Sequence, residues 1–247
     1  MWLSDVLMPI IIELSRNAIL LIMLSMLYNL TNVNPNTSIQ KKFVTGLVLG
    51  MITVLLMMTS WKVQEGLIFD MRSVVLVVSG VFFGGIPTVV AAVIALLYRV
   101  FVVSSFGVYA GVLTIISTST LGLCWHHVRK LFNFKRRYVE YYFLGLFAHI
   151  LTVLSFLAIP CPQAFTSIGN TAVPFLGIFP IITMGVALMV HNQKDRLISN
   201  NRLNEQKALL QASIDAPKSM EIFALNLNYQ YLSFNHFHQK SMWNYYK

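Results

Sequence analysis

The stretch 67-LIFDMRSVVLVVSGVFFGGIPTVVAAVIALLYRVFVV-103 decides the fold. It is apolar for longer than one upright spanning helix requires, which is about 20 residues. In its middle stands Gly84-Gly85-Ile86-Pro87. A glycine pair followed closely by proline breaks a helix, because glycine loosens the backbone and proline removes a donor. The stretch is therefore read as two short spans meeting at 84–87. One long tilted or kinked helix is the alternative.

Working outward, further apolar runs cover 7–30, 43–60, 108–125, 139–159 and 173–191. The fold class expected is an all-α polytopic membrane bundle of seven spans, alternatively six. Composition agrees. Of 247 residues 56% are hydrophobic and 11% charged, against about 25% charged in a soluble domain. Mean hydropathy is +0.67. This excludes a soluble enzyme, a disordered chain and a secreted disulfide scaffold. The opening MWLSDVL has no Lys or Arg, Glu13 and Arg16 interrupt the apolar run, and no small-residue cleavage site follows. The first run thus reads as a retained span.

Lys and Arg number 18 against 9 Asp and Glu, a net charge of +9. In membrane proteins such an excess collects in cytoplasmic loops. Arg129, Lys130, Lys135, Arg136 and Arg137 crowd the connection 125–138, whereas 160–172 carries no charge. Lys194, Arg196, Arg202 and Lys207 follow the last span. With seven spans Lys41 and Lys42 join the same side; with six they fall opposite. Seven fits better, and puts the C-terminus in the cytoplasm. Orientation accounts for the basic loop, so no nucleic-acid partner is expected. Cys124 and Cys161 come out on opposite sides, which excludes a disulfide between them.

After His191 the composition turns polar. Leu197, Leu203, Leu209 and Leu210 recur near helical spacing. Residues 192–212 thus read as a linker helix leaving the last span, its thin stripe suited to pairing with its own copy in a homodimer. In 220-MEIFALNLNYQYLSFN-235 two β-like segments flank Asn226 and Asn228, a hairpin signal. About 35 residues cannot close a core alone, so 213–247 reads as the start of a larger soluble domain.

Ionisable groups inside a membrane are expensive and default to paired or functional roles. Glu13 and Arg16 share one helix face, with Asn17 beside them; they read equally as a self-neutralising pair and as pocket residues. Asp70, Arg72 and Arg99 fall at the extracytoplasmic mouth, where two guanidiniums could clamp a small carboxylate bidentately. The competing reading pairs Asp70 with Arg72 and lets Arg99 snorkel to water; taken alone, it is the stronger of the two. Gly84 and Gly85 allow backbone to line a cavity or helices to pack. His126 and His127 suit the headgroup level, and His149 a satisfied buried position. There is no Ser/His/Asp set, metal cluster, phosphate loop or dinucleotide fingerprint. Hence no catalytic residue, metal or cofactor is expected. A glycine-rich bundle also suits a transporter or substrate-capture subunit.

At 69-FDMRSVVLVVSGVFFGGIPTVVAAVIALLYRVFVV-103 and 107-GVYAGVLTII-116 the chain resembles the five-transmembrane receptor domain of the LytS–YhcK type. The opening 11-IIELSRNAILLIMLSMLYNL-30 is also similar, and the likeness covers about 7–191. In the family the triplet is usually Asn-x-Arg; here it is Asp70-Met71-Arg72. A second likeness is to the first part of a PAS domain, carried by 213-SIDAP-217, the strand pair ending at Phe234-Asn235, and Phe237-His238 with Ser241-Met242. The expected domains are thus a sensor (1–191), a linker helix (192–212) and an incomplete PAS domain (213–247). The resemblance implies a bacterial inner-membrane receptor that senses a small carboxylate. Its output would be a two-component histidine kinase or a diguanylate cyclase beyond Lys247, in some relatives controlling cell-wall organisation.

Overall fold

The computed structural model describes residues 19, 22–31, 37–59, 61–64, 67–69, 71–102, 107–132, 134–158, 163–217 and 219–245, with side chains outside 61–64, 67–69, 163–175 and 244–245. It divides into two compact units, Met1–Lys194 and Asp195–Lys247.

The first unit is a helix bundle. Its elements are α1 (Ile22–Thr31), α2 (Ile39–Met58), a strand pair β1 (Trp61–Gln64) and β2 (Leu67–Phe69), α3 (Arg72–Phe82), α4 (Gly85–Phe101), α5 (Val108–Phe132), α6 (Arg137–Ser155) with a 3₁₀ turn (Phe156–Ala158), and the first part of α7 (Gln163–Asp215). The helices α2, α5, α6 and α7 are long and apolar enough to cross a membrane, while α1, α3 and α4 are shorter apolar helices.

The break inside 67–103 is real. Helix α3 ends at Phe82, Gly84 has φ +85°, and α4 begins at Gly85. A positive φ is open to glycine at little cost and strained for other residues. The chain reverses here. Gly80 of α3 packs on Gly122 of α5, and Arg99 of α4 returns to Gly107 and Gly111, at the start of α5.

Helix α3 forms the centre. Every residue from Arg72 to Gly80 is buried, as expected for a helix that is apolar all round. It packs against α2, α4, α5 and α6. The outer helices have two faces. On α4, Ala91, Ala95 and Arg99 are buried at four-residue spacing, while Val89, Val93 and Leu97 are exposed at the same spacing. The exposed stripe is large and aliphatic, which suits a lipid-facing surface.

Two expectations need correction. Leu67 does not open a span: 67–69 is a strand paired antiparallel with β1, and the helix starts at Arg72. The pair is rich in aromatic and β-branched residues, which favour strands. The fifth helix does not stop at Trp125 but carries the basic residues Arg129 and Lys130 in its last turn. Residues 192–212 continue the helix of the last apolar run, as their spacing suggested, because α7 runs unbroken from Gln163 to Asp215. The drop in hydropathy after His191 marks a change of surroundings, and helical backbone hydrogen bonds do not depend on that change.

In the second unit, α7 is followed by β3 (Phe223–Leu225), β4 (Tyr231–Phe234) and α8 (His236–Tyr245). The strands pair antiparallel through the expected turn. Asn226 Oδ1 accepts from the backbone N–H of Asn228 and Gln230. Such a side-chain bridge stabilises a tight turn.

Candidate ligand site

The two charged residues of the candidate set that the structure describes are both inside the bundle. Arg72 opens α3 at 7% exposure and Arg99 closes α4 at 3%. Arg99 does not snorkel. Its guanidinium lies against α5, where Nη2 donates to the Gly107 carbonyl at 2.7 Å. Gly111 makes room for it: a Cβ there would stand 3.0 Å from Arg99 Cζ and 3.1 Å from Cδ. The four-residue repeat of α4 turns Arg99 inward together with Ala91 and Ala95.

Hydroxyls and one imidazole complete a polar layer at this end. Ser73, next to Arg72, meets His149 Nε2 at 3.3 Å, and His149 Nδ1 lies 2.7 Å from the Gly145 carbonyl. A carbonyl can only accept, so the ring proton sits on Nδ1 and Nε2 accepts from the serine. The buried His149 is satisfied at both nitrogens, as its sequence context suggested. The Thr114 and Ser155 hydroxyls meet at 2.7 Å between α5 and α6, and each also lies against a backbone carbonyl of its own helix, so two protons are shared among three contacts. A buried hydroxyl can turn its single proton from such a carbonyl to a ligand oxygen, giving up the local bond.

Gly84 and Gly85 do not belong to this layer. They sit at the other end of α3, whose 11 residues span about 16 Å. There they line a recess of about 460 Å³ with Tyr28, Lys42, Phe82 and Lys194. A single pocket holding Arg72, Arg99, Gly84 and Gly85 is therefore excluded, because α3 and α4 are extended between the two ends. Asp70, Glu13, Arg16, Asn17 and Cys161 lie outside the described residues. Lys42, Arg129 and Lys194 share the Gly84 end. Among the described residues no group of three or more His, Cys, Asp or Glu side chains could hold a metal ion.

Sequence reasoning passed over Ser73, Thr114 and Ser155. The signal was the run 114-TIISTST-120, where Thr114 and Thr118 fall on one helix face. It also passed over Glu140, buried near the start of α6, whose Oε1 accepts from Trp125 Nε1 at 3.3 Å and pairs with Arg129 Nε at 3.2 Å.

The family model described as 5TMR of 5TMR-LYT matches residues 24–196. The chain belongs to this family of five-transmembrane receptor domains, which serve signalling proteins as membrane receptors. The match takes in Arg72 and Arg99 and begins later than the resemblance suggested, inside α1. No curated protein and no solved structure matches the chain.

Proposed function

We propose that this chain is the sensing part of a bacterial inner-membrane receptor that binds a small carboxylate between Arg72 and Arg99. The observation carrying this reading is the burial of two guanidiniums at one end of the bundle, beside a layer of hydroxyls. Guanidinium is the side chain best matched to a carboxylate, because its fork donates two parallel hydrogen bonds. Asp70, which adjoins Arg72 in sequence, would select against highly charged anions and favour monocarboxylates.

In this reading α1 to α7 are seven spans, with Lys42, Arg129 and Lys194 on the cytoplasmic side under the positive-inside rule. Ligand occupancy favours one packing of α3, α4 and α5 over another, which biases α7. Helix α7 extends to Asp215, and 213–247 is the first part of a PAS domain that feeds a kinase or cyclase. The chain acts as a dimer through the polar part of α7.

The test is a signalling reporter fused after Lys247, challenged with acetate, lactate, succinate and citrate. Arg72→Ala and Arg99→Ala should each raise the concentration needed for half response about 10-fold or more, the equivalent of one charge-assisted hydrogen bond. Membrane insertion should be unchanged. Normal responses from both variants to every acid tested would remove Arg72 and Arg99 from the pocket. Carboxylate uptake into vesicles holding the chain would favour transport instead.

A further inference from the structure

A second cavity lies at the opposite end of the bundle from Arg72 and Arg99. It has about 280 Å³, and α3, α5, α6 and α7 all contribute to its wall. That is just under the range of about 300–1,000 Å³ typical of drug-sized ligands, so the occupant must be small. Phe82, Trp125 and Tyr141 provide aromatic surfaces, and Arg129, Glu140 and Lys194 provide charge. Phe82 and Tyr141 rings stand 5.8 Å apart. The close approach of α3 to α5 shapes one side: a Cβ at Gly80 would fall 2.6 Å from the Gly122 carbonyl carbon.

The charged groups are arranged unevenly. Glu140 is almost fully buried; Trp125 Nε1 donates to its Oε1, and the same oxygen forms an ion pair with Arg129 Nε. Oε2 takes no bond among the described residues. Arg129 meets Glu140 through Nε, its side chain is 57% exposed, and neither terminal nitrogen donates a hydrogen bond to a described residue. The cavity therefore presents one open carboxylate oxygen beside an open pair of guanidinium nitrogens, with the Lys194 ammonium as a second cation.

A bare anion would meet Glu140, and a bare cation would meet Arg129 and Lys194. A molecule carrying both charges satisfies all three. Because Arg129 and Glu140 are in direct contact, its two charged groups must sit on adjacent or nearly adjacent atoms. Aromatic faces around a carboxylate further favour an ammonium over a hydroxyl.

We propose that this cavity binds a free α-amino acid, its carboxylate on the terminal nitrogens of Arg129 and on Lys194 and its ammonium on Glu140 Oε2. The site is distinct from the Arg72–Arg99 layer and does not depend on that reading. It adjoins the Tyr141 hydroxyl, which meets His191 Nδ1 at 2.7 Å and ties α6 to α7. An occupant there contacts the last bundle helix directly, so the site is placed to tune the receptor from its basic end.

The test uses the full chain in nanodiscs, labelled with 5-fluorotryptophan. Its 4 tryptophans give separate fluorine signals, and Trp125→Phe assigns the one in the cavity. The probes are L-alanine, propionate, which lacks the ammonium, and ethylamine, which lacks the carboxylate. L-alanine should shift the Trp125 signal saturably, and each partial analogue should need at least a 10-fold higher concentration. Arg129→Gln should raise the L-alanine concentration required at least 10-fold. Glu140→Gln should abolish the preference for L-alanine over propionate. Unchanged signals from the other tryptophans report that a variant is folded. Should Glu140→Gln fail that check, Arg129→Gln, altered at an exposed side chain, still decides. A Trp125 signal indifferent to L-alanine, equal responses to L-alanine and propionate, or an Arg129→Gln titration matching the unsubstituted chain would each overturn the proposal.

Discussion

Arg99 shows what a single residue needs in order to be held inside a membrane bundle. Its charge has the Gly107 carbonyl as partner, and its bulk has the space left by Gly111. Both come from α5, the next helix in the chain. Gly111→Ala should therefore displace the guanidinium without removing it. The expected outcome is a loss of carboxylate sensitivity of about 10-fold, comparable to Arg99→Ala, with normal insertion. A dose–response series on the reporter checks this, and a fully sensitive Gly111→Ala variant would show that Arg99 has other room. Part of this was legible in the sequence. Ala91, Ala95 and Arg99 repeat every four residues opposite Val89, Val93 and Leu97, and a stripe of small residues marks the face turned toward protein. The pairing of Trp125 and Arg129 with Glu140 was not legible. It depends on α5 and α6 packing against each other, a distance in space that no spacing in the chain encodes.

At the scale of elements, the tightest join is α3 on α5. A Cβ at Gly122 would fall 3.1 Å from both Val77 C and Gly80 Cα, so backbone meets backbone. Gly80→Leu leaves no rotamer that relieves this, and should destabilise the bundle by about 3 kcal/mol or more. Recovery of monodisperse protein after graded heating in detergent is the measurement, and a recovery curve like that of the unsubstituted chain would contradict it. In the second unit the corresponding element is the β3–β4 hairpin with α8. Asn235 is fully buried, its Oδ1 accepting from Ile222 N and His238 N and its Nδ2 donating to the Met220 carbonyl. Asn235→Ala strands those groups at about 1–3 kcal/mol each when water cannot replace them. Faster proteolysis at 216–235, with the bundle intact, is the expected result. The hairpin was readable from its alternating apolar segments and asparagine turn. The β1–β2 pair was missed because three apolar residues before Asp70 looked like the opening turn of a span.

For the whole molecule, the arrangement of charge makes two predictions. Under the seven-span reading, single cysteines at Lys41 and at Ser167 should label from opposite sides of the membrane. Labelling from one side would restore six spans. The tail should respond to acid in its own way. The backbone N–H of His236 and the Gln211 amide hold the Asp215 carboxyl below its ordinary value, and Ser241 and His238 do the same for Glu221. A group with a lowered folded value stabilises fully above its ordinary value and loses that contribution as pH falls through the lowered one. The tail's hairpin signals in NMR spectra of the full chain should thus hold from pH 7 to about pH 5 and fade below about pH 4. Fading that begins near pH 6 would contradict this.

The linear order of residues was enough to establish a multi-helix membrane chain, the break at Gly84–Gly85, the hairpin after residue 220 and the likeness to the 5TMR-LYT family. Each of these rests on interactions between near neighbours in the chain or on transfer from water to lipid, and both act on local composition. Only the tertiary structure decided that Arg72 and Arg99 share one end while the two glycines lie at the other. It alone showed that Ser73 serves His149, and that Glu140 opens a second cavity beside Arg129. Those facts depend on which helix faces which, and helix packing is settled by the fit of whole surfaces rather than by any one segment.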